Sequence, residues 1–186
     1  AEVLQYIADG IRMRPAEADA MYAGIVIDTN NFVNQTGVRT FEAAAFLRRN
    51  GADVTRVRKL FRDNMAEYQA KAEAVRRAEV YRDVFAISEC PAEGLASPTI
   101  VGAQAANDLL EINGIKASVV ITEYNHIIYL SARSIDEVNV QVMMEHLGGG
   151  GHRAVAGAQL EGVTVDEARA KIKIVIDEML KKGDIS

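Results

Sequence analysis

Four consecutive glycines and a histidine form the segment whose residue types most clearly imply chemistry: Gly148, Gly149, Gly150, Gly151 and His152. A helix cap needs one glycine in the left-handed conformation, and each further ordered glycine costs roughly 0.5–1 kcal/mol of chain entropy. Because these residues lack Cβ atoms, their backbone N–H groups can converge on an anion such as phosphate. As a catalytic residue, His152 can donate a hydrogen bond to a phosphate oxygen or protonate a leaving group. The pattern favours a phosphate site over a flexible loop or an elaborate helix cap.

A serine and an arginine at the end of a predicted strand are the second set of candidates. Side chains alternate along a strand, so Ser131 and Arg133 lie on the same face. The planar guanidinium suits a bidentate contact with phosphate, and the serine adds a hydroxyl donor. The alternative is an exposed pair without a ligand. Their place in the same lobe as the glycine run favours phosphate binding.

Asp28 follows a short apolar run, residues 24–27, which is typical of a strand buried on both faces. Ligand sites in open α/β sheets gather at the carboxyl ends of strands. A carboxylate at that position is a suitable ligand for magnesium or manganese. An aspartate that caps a helix or turn is the more common alternative.

Helical and strand patterns alternate along the chain and predict an α/β protein with two lobes. A charged, alanine-rich stretch without glycine or proline, residues 64–80, predicts a long exposed helix between the lobes. The predicted domains are therefore residues 1–63, the linker helix 64–80, and residues 81–186. In the second lobe, strands are predicted over residues 84–88, 117–122, 127–131 and 155–160, and helices over residues 97–112, 139–147 and 164–182.

The composition argues against several classes of protein. The 186 residues carry a net charge of −5, which does not suit a protein that coats nucleic acid through bulk electrostatics. Charged residues make up 25%, as in ordinary globular proteins, and no apolar run is long enough to cross a bilayer. The single cysteine, Cys90, excludes an internal disulfide and fits a core position in a protein of the reducing cytosol.

Three motifs occur in the order found in one known family: Asp28-Thr29-x-x-Phe32, then Ser131-x-Arg133-Ser134, then Leu147-Gly148-Gly149-Gly150-Gly151-His152 followed by Ala156-Gly157. The sequence resembles the DHH phosphoesterases and their C-terminal DHH-associated domain. Longer runs at residues 24–29, 36–45 and 138–140 are most similar to the bacterial membrane-anchored cyclic di-AMP phosphodiesterases.

The resemblance implies an architecture and an activity. It implies a truncated parallel-sheet DHH lobe over residues 1–63 and a complete mixed-sheet DHH-associated lobe over residues 81–186, joined by the long helix. In the family, two manganese ions activate a water that attacks phosphorus, and the associated domain closes over the nucleotide. The expected reaction opens cyclic di-AMP to linear pApA. By motif match, the metal ligand is Asp28 and the residues that hold the substrate phosphate are Ser131, Arg133 and Gly148–His152.

The sequence departs from the family pattern at the metal centre. The family's Asp-x-Asp segment and Asp-His-His triplet are absent, and the three histidines, His126, His146 and His152, all follow the first lobe. One aspartate offers at most two oxygens to a metal that takes about six ligands. We therefore expect an incomplete manganese site and no phosphodiesterase activity from this chain alone. We also expect a cytoplasmic domain that forms a homodimer, cut from a parent protein that is anchored in the bacterial membrane through other segments.

Three alternative functions stay open. Oligoribonucleases and adenosine bisphosphate phosphatases of the same superfamily use the same phosphate cradle. A second alternative is a non-catalytic module that binds single-stranded nucleic acid or short oligonucleotides, although 6% aromatic residues and no tryptophan offer little for base stacking. A purely structural or dimerisation domain is the third.

Overall fold

The computed structural model describes residues 2–7, 13–33, 36–135 and 137–183. It divides into two compact units, Ala1–Arg62 and Asp63–Ser186. Within the described residues, none of the helices combines the length and the apolar character that a membrane crossing requires.

The first unit is helical throughout its described residues. Its helices are α1 (Glu2–Ile7), α2 (Pro15–Asp28), α3 (Val38–Arg49) and α4 (Val54–Leu60). Helix α2 begins with proline at its first position, where the missing N–H costs nothing. A small core of Ala18, Leu47 and Ala52 holds α2 against α3. Beside this core, Arg56 Nε donates to Asp19 Oδ2 at 2.6 Å, and this hydrogen bond lowers the pKa of the aspartate.

The prediction of a strand over residues 24–27 is wrong, because this segment forms the last turns of helix α2. A four-residue apolar run cannot by its periodicity distinguish a strand from a buried helical segment. The run continues a helix that is already nucleated at Pro15, and the described residues of this unit contain no strand with which it could pair. The parallel sheet predicted for the first lobe is therefore not found there, and Asp28 ends a helix rather than a strand.

The second unit carries the sheet that confirms the α/β class. Its six strands have the order β1-β2-β3-β4-β6-β5; β2 and β3 are parallel and the other pairs are antiparallel, which makes the sheet mixed, as predicted. The strands are β1 (Glu79–Tyr81), β2 (Phe85–Glu89), β3 (Ala117–Tyr124), β4 (Ile127–Ser134), β5 (Gly150–His152) and β6 (Val155–Glu161). The helices are α5 (Met65–Arg76), α6 (Pro98–Leu110), α7 (Val140–Glu145) and α8 (Val165–Lys182).

Two apolar cores cover the two faces of this sheet. The larger core packs Leu130 and Ala132 of β4 with residues of α7 and α8, such as Met143 and Ile176. The smaller core lies on the opposite face, where α5 and α6 pack over β2 and β3. Along β4 the residues alternate strictly between buried and half-buried, so the side chains that point away from the larger core are only partly covered.

The segment that we predicted as a long exposed linker differs in the structure. It contains the 12-residue helix α5, which belongs to the second unit, and strand β1. Ala70 and Ala74 are buried in the smaller core, and the buried Ser88 hydroxyl donates to the Ala74 carbonyl. The small alanine side chains, which we took as a sign of exposure, instead allow close packing of α5 on the sheet and on α6.

Candidate functional site

The register of three strands brings four of the predicted site residues onto one face of the sheet. Ser131 of β4 is opposite Gly157 of β6, and Gly157 is opposite Gly150 of β5. The next row lies two residues away along each strand and contains Arg133, Val155 and His152. Because residues opposite each other in a sheet project to the same side, Ser131, Arg133 and His152 share the face away from the larger core. We call this surface the open face.

Helix α6 lies against β3 and β4, and the open face is accessible along β6, whose central position on this face is a glycine. On β6 the buried Ala156 and Ala158 alternate with the more exposed Val155, Gly157 and Gln159. A Cβ atom on Gly157 would lie 2.8 Å from the Leu130 carbonyl oxygen, so glycine is needed for β6 to approach β4 this closely.

A cavity of about 410 Å³ opens on this face, a size found for small-molecule sites. It includes three residues predicted from the sequence, namely Ser131, Gly148 and Gly149. Gly150, in the same row, and Arg133 and His152, in the next row, lie beside the cavity and are not part of its wall. The wall is formed by Thr99, Tyr129, Leu130, Ser131, Gly148, Gly149, Gly157, Ala158 and Gln159.

The backbone conformation or the close packing of the chain requires glycine at three of the four consecutive positions. Gly148 has φ +79° and ends helix α7, where its N–H donates to the Glu145 carbonyl at 3.0 Å. A Cβ atom on Gly149 would lie 2.6 Å from the Ala158 Cα, and one on Gly151 would lie 2.5 Å from the Ala156 Cα. These glycines therefore cap a helix and let the chain run directly against β6.

The sequence predicts that the backbone N–H groups of all four glycines converge on an anion. In the structure, the first two of these N–H groups are bonded to carbonyl groups instead. The N–H of Gly148 is bonded to Glu145, and the N–H of Gly149 donates to the Met144 carbonyl at 2.8 Å. These two donors already satisfy the carbonyl groups at the end of α7 and are not free for an anion.

At Gly150, the remaining member of the run, neither the backbone conformation nor the packing requires glycine. A Cβ atom there would meet nothing within 4 Å, and its φ lies outside the left-handed region. A glycine in a strand is less stable than an alanine by roughly 0.5–1 kcal/mol. A ligand that must approach the backbone closely gives a physical reason for glycine at this position.

Arg133 is half-buried and held in place by two hydrogen bonds. Its Nε donates to Asn107 Oδ1 at 3.0 Å, and its Nη1 donates to the Ala132 carbonyl at 2.8 Å. A guanidinium has five N–H donors, so three have no partner in the described part of the chain. Burial lowers the pKa of Arg133, although an arginine stays protonated at neutral pH. The arrangement presents a fixed cation with spare donors on the open face.

The three histidines lie in different surroundings. His152 is exposed at the end of β5, in the same row as Arg133. His126 lies in the β3–β4 turn with φ +62°, and its neighbour Asn125 also has positive φ. A ring nitrogen of His146, Nδ1, lies 2.8 Å from the Val142 carbonyl at the end of α7. Of the three, only His152 is in the rows of the open face.

Cys90 is 1% exposed, and burial raises the pKa of its thiol to about 11. A thiol in this state is a poor nucleophile. The residue fits the core position that the sequence predicted.

Asp28 belongs to no group of three or more His, Cys, Asp or Glu side chains that could hold a metal ion among the described residues. It is exposed at the end of α2, next to Thr29, whose hydroxyl donates to the Ile25 carbonyl at 2.7 Å. Phe32 of the same motif stacks on Phe41 at 5.3 Å between ring centroids. No group of three or more His, Cys, Asp or Glu side chains in the described ranges is placed to hold a metal ion. These residues alone therefore do not fit the dinuclear manganese centre that the resemblance implies.

Sequence reasoning missed four residues of this site: Thr99, Asn107, Tyr129 and Gln159. Tyr129 could have been found, because it precedes Ser131 by two residues in the same strand. Gln159 could have been found in the same way, because it follows Gly157 by two residues in a predicted strand. Thr99 and Asn107 reach the open face through tertiary packing, for which the local sequence carries no signal.

Comparison with known proteins places this geometry in context. Residues 94–182 match the DHHA1 domain. Over 183 residues the chain is 40% identical to cyclic-di-AMP phosphodiesterase GdpP of Geobacillus thermodenitrificans, a match that covers 98% of this chain and 28% of that protein. It is also 40% identical over 181 residues to cyclic-di-AMP phosphodiesterase PdeA of Listeria monocytogenes, covering 97% of this chain and 27% of the relative. The chain thus spans only about a quarter of the length of the curated relatives it matches.

A solved structure shares the fold. The exopolyphosphatase-related protein from Bacteroides fragilis superposes with a TM-score of 0.77 over 88% of this chain and 50% of its own, at 20% sequence identity. Identity this low supports the fold alone. The resemblance that the motifs indicated is confirmed by the match of residues 94–182 to the DHHA1 domain and by the relatives at 40% identity.

Proposed function

We propose that this chain binds a phosphate group of cyclic di-AMP, or of its linear product pApA, as part of a phosphodiesterase. The observation that carries the proposal is the register that aligns Ser131 with Gly150, and Arg133 with His152, across β6 on one open face. The choice of ligand is supported by relatives at 40% identity that are named cyclic-di-AMP phosphodiesterases.

Each residue has a separate role in this proposal. Arg133 offers a planar fork to two phosphate oxygens, since three of its donors have no partner among the described residues. Ser131 donates its hydroxyl hydrogen to the same group. Gly150 lets the phosphate approach the backbone because no side chain intervenes. His152, exposed in the same row as Arg133, donates a hydrogen bond to the phosphate or a proton to the leaving oxygen.

Hydrolysis of a cyclic dinucleotide forms one bond from phosphorus to a water oxygen and breaks one bond from phosphorus to a ribose oxygen. The attacking water releases one proton to solvent and the leaving ribose oxygen takes one, and His152 is the group that we assign to the second of these transfers. We propose Asp28 as one ligand of the manganese implied by the resemblance. Because the described residues do not complete such a centre, we expect this chain to bind the nucleotide without turning it over.

Calorimetry with cyclic di-AMP and pApA tests the proposal through two matched pairs of variants. Arg133→Gln removes the fork, and Arg76→Gln is its control, because Arg76 is exposed on α5 and paired with Glu73. His152→Asn removes the imidazole, and His126→Asn is its control, since asparagine tolerates the positive φ at that turn. We expect at least tenfold weaker binding for Arg133→Gln and weaker binding for His152→Asn, with both controls unchanged. Equal affinities across a pair would refute the role of that residue.

The same titrations distinguish the alternative of nucleic-acid binding. A short single-stranded oligonucleotide replaces the dinucleotide, at low and at physiological salt. Proteins that track the backbone of nucleic acid lose affinity steeply as salt rises. Oligonucleotide binding tighter than that of pApA, with such a salt dependence, would contradict the proposal and favour the binding module.

A further inference from the structure

The cavity on the open face extends one row beyond the proposed phosphate site. This third row contains Thr122 of β3, Tyr129 of β4 and Gln159 of β6, which are opposite one another in the sheet. Tyr129 is half-buried and Gln159 is exposed, and both line the cavity together with Ser131. An aromatic ring and a primary amide thus lie side by side next to the residues proposed for phosphate.

Helix α6 closes this end of the cavity. A Cβ atom on Gly102 would collide with the hydroxyl oxygen of Thr122, so the glycine lets α6 lie directly on β3. Thr122 is 1% exposed at this contact, and its buried hydroxyl has no hydrogen-bond partner in the described residues. Thr99, about one helical turn before Gly102, reaches the cavity wall as a result. The third row therefore has a side wall and is not a flat surface.

The spacing of the rows suits a nucleotide. Two residues along a strand span about 6.8 Å, which is the separation between the row of Ser131 and the row of Tyr129. A ribose can bridge this separation between its phosphate and its base. A phosphate bound at the row of Ser131 and Gly150 then brings the base to the ring of Tyr129 and the amide of Gln159.

We infer that the third row is a nucleobase subsite in which Tyr129 stacks on the base and Gln159 recognises adenine. Aromatic side chains stack on bases of any type, because every base has a π-face. A glutamine amide is complementary to adenine, since its carbonyl accepts from N6–H and its NH₂ donates to N7. Guanine presents acceptors at both O6 and N7, so the glutamine carbonyl faces an acceptor there. The inference rests on the proposed function and adds selectivity for the base to it.

Three ligands separate the contribution of the base from that of the phosphate: AMP, GMP and ribose 5-phosphate, which has no base. Calorimetry with the unmodified chain is expected to show AMP binding about tenfold more tightly than ribose 5-phosphate, and more tightly than GMP. Gln159→Met is expected to remove the preference for AMP over GMP and to leave ribose 5-phosphate unchanged. Tyr129→Leu is expected to remove the advantage of AMP over ribose 5-phosphate, whereas Tyr129→Phe retains the ring and most of that advantage.

The control for the glutamine is Gln141→Met. Gln141 lies on α7 at the other side of the sheet, where its amide donates to Glu145. This variant is expected to keep the preference for AMP, and thermal melting of all variants checks that they fold. Equal binding of AMP and ribose 5-phosphate would overturn the base subsite while the phosphate site stands. If none of the three ligands binds, the proposed phosphate site fails, and the base subsite fails with it.

Discussion

Replacing Gly149 and Gly150 by alanine, one at a time, separates a glycine that the fold requires from a glycine that a ligand requires. The two residues are adjacent, but their surroundings are opposite. The added methyl group at Gly149 would lie 2.6 Å from the Ala158 Cα, which belongs to a paired strand and cannot move aside easily. The methyl group at Gly150 would meet nothing within 4 Å.

The expected changes in unfolding free energy therefore have opposite signs. Forcing a methyl group against the backbone at Gly149 costs about 1–3 kcal/mol, as overpacked cores do. At Gly150 the backbone already suits alanine, so the lower entropy of the unfolded chain stabilises the protein by about 0.4–1 kcal/mol. Because each kcal/mol shifts Tm by about 2–4 °C in a chain of this size, thermal or urea unfolding followed by circular dichroism resolves the two variants.

Binding of pApA is expected to separate the same variants in a different way. Gly150→Ala should fold at least as stably as the unmodified chain yet bind pApA at least tenfold more weakly, because the methyl group occupies the position of the phosphate. If Gly150→Ala bound pApA normally, close approach of the ligand to β5 would be excluded. If Gly149→Ala lost no stability, the close packing of this segment on β6 would be excluded.

Asn107→Ala should weaken pApA binding about three- to tenfold, because loss of one hydrogen bond frees the Arg133 side chain; Asn107→Gln keeps a neutral amide acceptor and should retain part of the binding, and equal effects of both would exclude positioning. The hydrogen bond from Arg82 lowers the pKa of Asp177, so this pair should stabilise the fold above the ordinary carboxyl pKa of about 3.9 and cease to do so as pH falls below it. Asp177→Asn should remove that part of the pH dependence, and urea titrations from pH 2 to 6 would show whether it persists. Manganese titration followed by electron paramagnetic resonance should show weak binding, reduced by Asp28→Ala; tight binding of two ions would contradict the incomplete centre.

Much of the open face could be predicted from the sequence because its pattern is local. Alternation along a single strand places Ser131 and Arg133 together, and β4 shows that alternation without interruption. The strands before and after the turn were predicted at residues 117–122 and 127–131, and between them Asn125 and His126 have the positive φ values of a two-residue turn.

The errors share a different cause, which is that tertiary contacts decide the structure. The apolar run at residues 24–27 is too short to reveal its period, and the preceding helix determines its conformation. Strand β5 was missed because glycine is rare in strands, and this one exists only where two glycines let it approach β6. Asn107 reaches Arg133 from a residue 26 positions away, a contact that no local pattern indicates.

A crystal structure of this chain with pApA tests the central claim most directly. We predict a phosphate group on the open face, within hydrogen-bonding distance of Arg133 and Ser131 and against the backbone of Gly150. A phosphate bound elsewhere, for example in the separate cavity lined by Glu89 and His126, would contradict the account.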